Sequence, residues 1–362
     1  MKSYSDLQKK FEKIHRNCEL CGSSKSKIFQ RIGRSEDPGT YGDVGITICL
    51  NCGHKMLNPR FEDNFYKAYY DEMYREVAFG DITPSDLYIE QQKKRGAGVL
   101  SFIKKNKISC GKMLDHGCAS GCTMIPWIEA DWNCYGIDPH RPSVEMGKRL
   151  GLNIKIASGE KLPFKDGTFK LVLSLGSLEH SYDFEASMKE IYRVLEKNGF
   201  IMIRWRSNEI FGSPLEYYNH NHYRFFTPET WKIALKKFGF QIVKKTSIKL
   251  EGWQSYSYLL VKKINKLPST KEINNFISQT NLNNSKIELN KIVDLRKSYF
   301  DRSQMFINIY KENNGDYYKI MHSIKSKKLF WFFLGGEPQE ILKRSYMEAK
   351  KYVSLFKKEK IN

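Results

Sequence analysis

Residues 113–124 read MLDHGCASGCTM. An apolar strand ends on Asp115, a turn containing Gly117 and Gly121 follows, and the helix-like stretch TMIPWIEAD (123–131) comes next. Glycines in such a turn let the backbone approach a bound ligand closely, and the strand-end carboxylate can hold a cationic or hydroxylated group. A second strand, CYGIDP (134–139), closes on Asp138 and Pro139, roughly twenty residues after the first acid, where a carboxylate can accept both hydroxyls of a ribose. Turn and acid together point to a nucleoside ligand.

Working outward, strands and helices alternate. The stretch QQKKRGAGVLSFIKKN (91–106) reads as an amphipathic helix before the first strand. NIKIA (153–157), LVLSL (171–175) and FIMIRW (200–205) read as further strands, separated by helices such as FEASMKEIYRVLE (184–196). Alternation of this kind predicts an α/β fold with a mainly parallel sheet covered on both faces. In TPETWKIALKKFG (227–239), Thr227 is the expected N-cap, Pro228 the first helical residue and Gly239 the C-cap. QIVKKTSIK (241–249) and YSYLLVKK (256–263) supply two closing strands.

Toward the N-terminus lie two Cys-x-x-Cys pairs, Cys18/Cys21 in NCELCGS and Cys49/Cys52 in CLNCGH. Each places two thiolates on one side of a tight bend, and the glycine after each second cysteine eases the turn. Two such knuckles can complete a tetrahedral site of four sulfurs, the geometry of structural zinc, with a hairpin in the intervening segment. Redox or incidental thiols are the alternative reading. The predicted ribbon is short, so metal is expected to drive its folding.

The chain of 362 residues carries a formal charge of +20. After position 245, 22 basic residues face 11 acidic ones, so much of the excess lies outside the motifs above. A solvated lysine-rich surface accounts for it, ahead of an anionic small substrate, a membrane face or nucleic acid. The start, MKSYSDLQKKFEKIHRN, has no apolar core of a signal peptide. The expected localisation is cytoplasmic, with no membrane span and with the cysteines reduced.

LDHGCASG (114–121), GIDP (136–139), GEKLPFKDGTFKLVLS (159–174), SLEH (177–180) and RVLEKNGFIMI (193–203) together resemble the class I S-adenosylmethionine-dependent methyltransferases. The preceding CELCGS, CLNCGHKMLNPR and YKAYYDEMY segments resemble the zinc-binding leader of bacterial methyltransferases that modify sugars or other small metabolites. The resemblance implies a Rossmann-like sheet of seven strands with the last antiparallel. A zinc ribbon and leader (1–75), the cofactor domain (76–264) and a mostly helical extension (265–362) divide the chain. Asp115, Gly117, Cys118 and Gly121 would bracket the methionine half of S-adenosylmethionine, Asp138 and Pro139 its ribose, Ser158 and Gly159 its adenine, and Leu175 its methionine end. Three positions depart from the pattern: Ala119 replaces the usual middle glycine, Ser158 an acid, and Lys170 an Asp.

For the base that an O, N or C nucleophile often needs, two features qualify. His180 closes SLEH at the end of the fourth strand. The loop EYYNHNHYRFFTPETW (216–231) carries His220 and His222, which match the histidines of the Tyr-His-Glu-His stretch in sugar C-methyltransferases. Asn219 and Asn221 stand where that stretch has Tyr and Glu, which favours O- or N-methylation over carbon-acid chemistry. A cap or cofactor contact for His180, and a surface position for His220, are the bland readings. The expected acceptor is a small molecule, a sugar or sugar nucleotide. An RNA methyltransferase, or a non-catalytic protein with a decayed cofactor site, are the other readings open to the sequence.

Overall fold

The computed structural model describes Leu7 and residues 10–32, 44–72, 86–205, 222–248 and 256–280. His220, the aromatic patch LFWFFLGGEP (329–338) and the rest of the expected extension beyond residue 280 lie outside the described residues.

The N-terminal part is built on small antiparallel sheets. Strand β1 (Lys13–Ile14) pairs with β5 (Arg60–Phe61). The hairpin expected between the knuckles is β2 (Ser26–Ile32) against β3 (Val44–Cys49), and β4 (Lys55–Leu57) adds to β3. Helix α1 (Asp63–Glu72) follows, with Phe65, Tyr66 and Tyr69 buried.

Helix α2 (Asp86–Lys105) then leads into the main sheet. Its seven strands are β6 (Lys112–His116), β7 (Asn133–Asp138), β8 (Ile154–Ile156), β9 (Phe169–Ser174), β10 (Leu195–Trp205), β12 (Phe240–Ile248) and β13 (Tyr256–Lys263). Spatially they run β12-β13-β10-β9-β6-β7-β8. Every neighbouring pair from β10 to β8 is parallel, and β13 alone is reversed, antiparallel to both β10 and β12. The expected α/β fold, with seven mostly parallel strands, is what the chain adopts. Strand order steps outward from β6 to β8 and then returns to the other side of β6 with β9. That reversal opens a crevice at the carboxyl ends of β6 and β9, where ligands of such sheets bind.

Local chemistry explains the connecting elements. The stretch after the glycine turn forms only a 3-10 turn (Cys122–Met124) and the short helix α3 (Ile125–Ile128), shorter than TMIPWIEAD suggested. Helix α4 (Arg141–Arg149) starts on His140, whose side chain accepts from the Ser143 amide. Helix α5 (Phe184–Val194) starts on Asp183, accepting from the Ala186 amide. Helix α6 (Pro228–Lys237) has the expected Thr227 cap with Pro228 first, and Thr230 returns the bond to the Thr227 amide. Its C-cap is Phe238 rather than Gly239. Gly239 follows with φ 77, the left-handed conformation that ends helices and suits glycine. Helix α7 (Thr270–Gln279) buries Ile273 and Ile277 against the core shared with α6. No described helix is long and apolar enough to cross a membrane.

One strand belongs to the leader sheet despite its place in the sequence. Strand β11 (Arg224–Phe225) pairs antiparallel with β4, Arg224 opposite Met56 and Phe225 opposite Lys55. The four-stranded sheet is therefore β11-β4-β3-β2.

Candidate active site and metal centre

At the crevice, Asp115 is buried at the next-to-last residue of β6. Burial, reinforced by the Asp138 charge, pushes its carboxyl up to about 7, with Arg95 of α2 pulling the other way. Gly117 has φ 76 and Gly121 φ 73, and a side chain at Gly117 would strike Ser177. Between them Ala119 sits at φ 49, which is why glycine suits this position better than alanine. The turn is fastened by Asp138: Oδ2 accepts the Ala119 amide at 2.8 Å and Oδ1 the His140 amide at 2.8 Å. The charge of Asp138, at the end of one strand, is thus felt by Asp115 near the end of the other.

His116, which the sequence reading passed over, faces β9. Its Nδ1 lies 3.0 Å from Ser177 Oγ, and that hydroxyl donates to the His116 carbonyl at 2.6 Å. Burial drops the imidazole to about 4, so it is neutral near pH 7. Its ring packs on Gly159, where a side chain would collide with it. Ser158 is exposed and Pro139 is exposed, Leu175 is half-buried, and Cys118 is buried with its thiol pushed far up by burial.

The two described histidine candidates come together. His180 ends the 3-10 turn Leu178–His180 after β9, and His222 lies two residues before the start of β11. Their ring centroids are 4.5 Å apart at 68°, edge to face. Tyr70 of α1 reaches His180 Nδ1 with its hydroxyl at 3.1 Å. The backbone of Tyr223 donates to the Glu179 carbonyl at 2.9 Å and accepts from the Leu57 amide at 2.9 Å, so main-chain bonds run from the leader sheet to the His180 turn. Phe225 and Phe226 are core residues, with Phe226 stacked on Trp231 at 3.9 Å.

In the leader, the sulfurs of Cys18, Cys21, Cys49 and Cys52 all lie within 4.8 Å of one another. Cys18 and Cys52 are 3.5 Å apart, as are Cys21 and Cys49. A tetrahedral zinc with bonds of about 2.3 Å needs sulfur separations of about 3.8 Å, so the four thiols fit such an ion. His54 is outside the four-cysteine cluster and engages Glu19, with Nε2 3.0 Å from Oε1. Glu19 also binds Arg224 in a fork, Nε to Oε1 at 2.6 Å and Nη2 to Oε2 at 3.0 Å. Burial would raise the Glu19 carboxyl, but the Arg224 charge and the bonds from His54 and Arg224 hold it well below the usual range.

Sequence comparison matches residues 114–203 to a family profile described as "Methyltransferase domain". The chain is 32% identical over 98 residues to the ubiquinone biosynthesis O-methyltransferase of Pelagibacter ubique, covering 25% of this chain and 40% of that protein. It is 35% identical over 100 residues to the ajmaline N-methyltransferase of Rauvolfia serpentina, covering 25% and 34%. Less than half the length of these curated relatives is therefore matched. The crystal structure of the Burkholderia thailandensis 1,6-didemethyltoxoflavin-N1-methyltransferase superposes with a TM-score of 0.45 at 16% identity, covering 60% of this chain and 98% of that one. The segment matched by the family profile, residues 114–203, spans β6 to β10, five of the seven strands of the sheet. The chain carries a class I S-adenosylmethionine-dependent methyltransferase domain behind a cluster of four cysteines.

Proposed function

We propose that this protein transfers a methyl group from S-adenosylmethionine to an oxygen or nitrogen of a small metabolite, a sugar or sugar nucleotide. The observation that carries the reading is the placement of Asp115, the glycine turn and Asp138 at the strand-order reversal, with His180 and His222 paired beyond β9 on the same edge. The residues suit the cofactor: a buried acid, a turn whose backbone can be approached, and a second acid at the end of β7. Asp138 would add ribose hydroxyls to the two amides it already accepts, and Asp115 would face the cationic methionine half. When bound, S-adenosylmethionine supplies an electrophilic methyl carbon on sulfur, which an acceptor displaces in line.

What the chain adds is position and a proton site. Tyr70 engages His180 at Nδ1, which fixes the ring, and we assign a role in proton transfer to this histidine. His222, buried and held against it, is the other candidate, and His220, two positions earlier in the sequence, remains part of the proposed set. The four cysteines would hold zinc as a structural ion, with no open position for substrate. The division into leader (1–75), cofactor domain (76–264) and extension (265–362) is part of the same proposal.

The test is calorimetry of the zinc-loaded chain with S-adenosylmethionine, followed by transfer of labelled methyl to a panel of sugar nucleotides and aminosugars. Micromolar binding with label in a sugar product supports the reading; absence of binding removes it.

A further inference from the structure

The Arg224 side chain is fully buried and its donors are directed to two places. Nε and Nη2 hold the Glu19 carboxylate. Nη1 donates to the carbonyls of Leu178 at 2.7 Å and Ser181 at 2.6 Å. Those carbonyls bracket the three-residue turn that carries His180. Glu19 lies inside the first knuckle, between Cys18 and Cys21, and its other contacts also come from elsewhere in the chain. His54, two residues after Cys52, reaches Oε1, and Lys237 of α6 donates to the Glu19 carbonyl at 2.9 Å.

A turn this short has little stability of its own, because one or two hydrogen bonds cannot offset the dihedrals they fix. Ser177, at its start, makes no side-chain cap. The turn's geometry is therefore set by what grips it. A guanidinium grips well: its planar fork fixes a carboxylate bidentately, so the donors left over point in fixed directions. A lysine would hold the charge and lose the directions.

We infer that Glu19 and Arg224 are positioning residues through which the four-cysteine knuckle sets the placement of His180. This rests on the proposed reading of His180 as an acceptor-side group. The knuckle keeps its shape when its four sulfurs share an ion, Glu19 is carried by that shape, and Arg224 transmits it to the turn. None of the contacts made by Glu19 and Arg224 involves Asp115 or Asp138. Coupling of this kind is reciprocal: whatever loosens Arg224 also loosens the metal.

The full zinc-loaded chain, labelled with 15N in its histidines and bound to S-adenosylhomocysteine, tests the inference. His180 is assigned from the spectrum of His180→Gln. Arg224→Lys is expected to move the His180 ring signals and their titration midpoint, with His116 and His140 in place as internal references. It should also weaken zinc retention about tenfold in competition with a chelator, the scale of losing one charged hydrogen bond. S-adenosylhomocysteine affinity should stay within about threefold. Glu19→Gln, which keeps the shape and loses the charge, gives the same readouts if the lysine variant does not fold. Unchanged His180 signals, or unchanged zinc retention, in a folded variant overturns the inference. A wild-type chain that fails to bind S-adenosylhomocysteine overturns the methyltransferase reading instead, and the histidine spectra and zinc competition still decide the coupling.

Discussion

His180 and His222, 42 positions apart, meet edge to face with ring centroids 4.5 Å apart. One comes from the turn after β9 and the other from the approach to β11, so neither ring is placed by its own element alone. His222→Ala should lower turnover by about 10²- to 10⁴-fold, the usual worth of a positioned proton acceptor. S-adenosylhomocysteine affinity, measured by calorimetry, should change less than about threefold. Because the rings touch, the double variant with His180→Ala should lose less than the product of the single losses. Full turnover in His222→Ala would remove it as base.

Asp138 fastens the Ala119 and His140 amides with separate oxygens. Asp138→Ala leaves both amides without that partner, a loss of about 1.5–3 kcal/mol for each charged hydrogen bond at most. Cofactor affinity should fall at least tenfold and the melting temperature should drop. Calorimetry and thermal melts report the two effects independently.

The Asp115 carboxyl stands at about 7 in the fold, against about 3.9 in an unfolded chain. Folding therefore favours its protonated form. The stability it contributes is complete below about pH 4, declines as pH rises from there to 7, and is level above. A cationic ligand reverses the preference by favouring the carboxylate. Affinity for S-adenosylmethionine should rise between pH 6 and pH 8, and Asp115→Asn should flatten that dependence. An affinity independent of pH in the wild type would contradict the assignment of Asp115 to the cationic end.

Ala119 at φ 49 holds a conformation costing an L-residue about 1–2 kcal/mol. Glycine removes that strain and gives back about 0.5–1 kcal/mol through the freer unfolded chain. Ala119→Gly should thus stabilise the fold by about 0.5–1 kcal/mol, visible as a rise of a few degrees in melting temperature. A drop would mean the methyl is packed usefully.

Removal of zinc by a strong chelator, or Cys49→Ser, should unfold the leader sheet while the main sheet persists, because so few strands bury little apolar area unaided. Metal analysis should give one zinc per chain. Circular dichroism would show a loss confined to part of the β signal.

The sequence shows features whose chemistry is local. Glycines next to a strand-end acid mark the β6 turn, Cys-x-x-Cys marks a knuckle, and Thr-Pro-Glu marks the start of α6. Each works within a dozen residues, so spacing alone reveals it. The contacts that assemble the site do not. Glu19 with Arg224 is separated by 205 positions, and Tyr70 with His180 by 110. Neither pair has a pattern that distinguishes it from any acid, arginine or tyrosine on a surface. His116 was hidden for a related reason: it reads as one more polar residue beside Asp115 at the strand end, and only Ser177 and Gly159 explain its place. Strand β11, two residues long, carries no periodicity to detect.

That two-residue strand limits how this protein can be re-engineered. Exchanging the first 75 residues for those of a related chain would pair a foreign β4 with the native Arg224 and Phe225. A single inserted residue between His222 and Arg224 would turn each side chain to the opposite face. Grafts and insertions should succeed only when both ends of the seam are moved together, so the leader cannot be treated as a detachable cartridge.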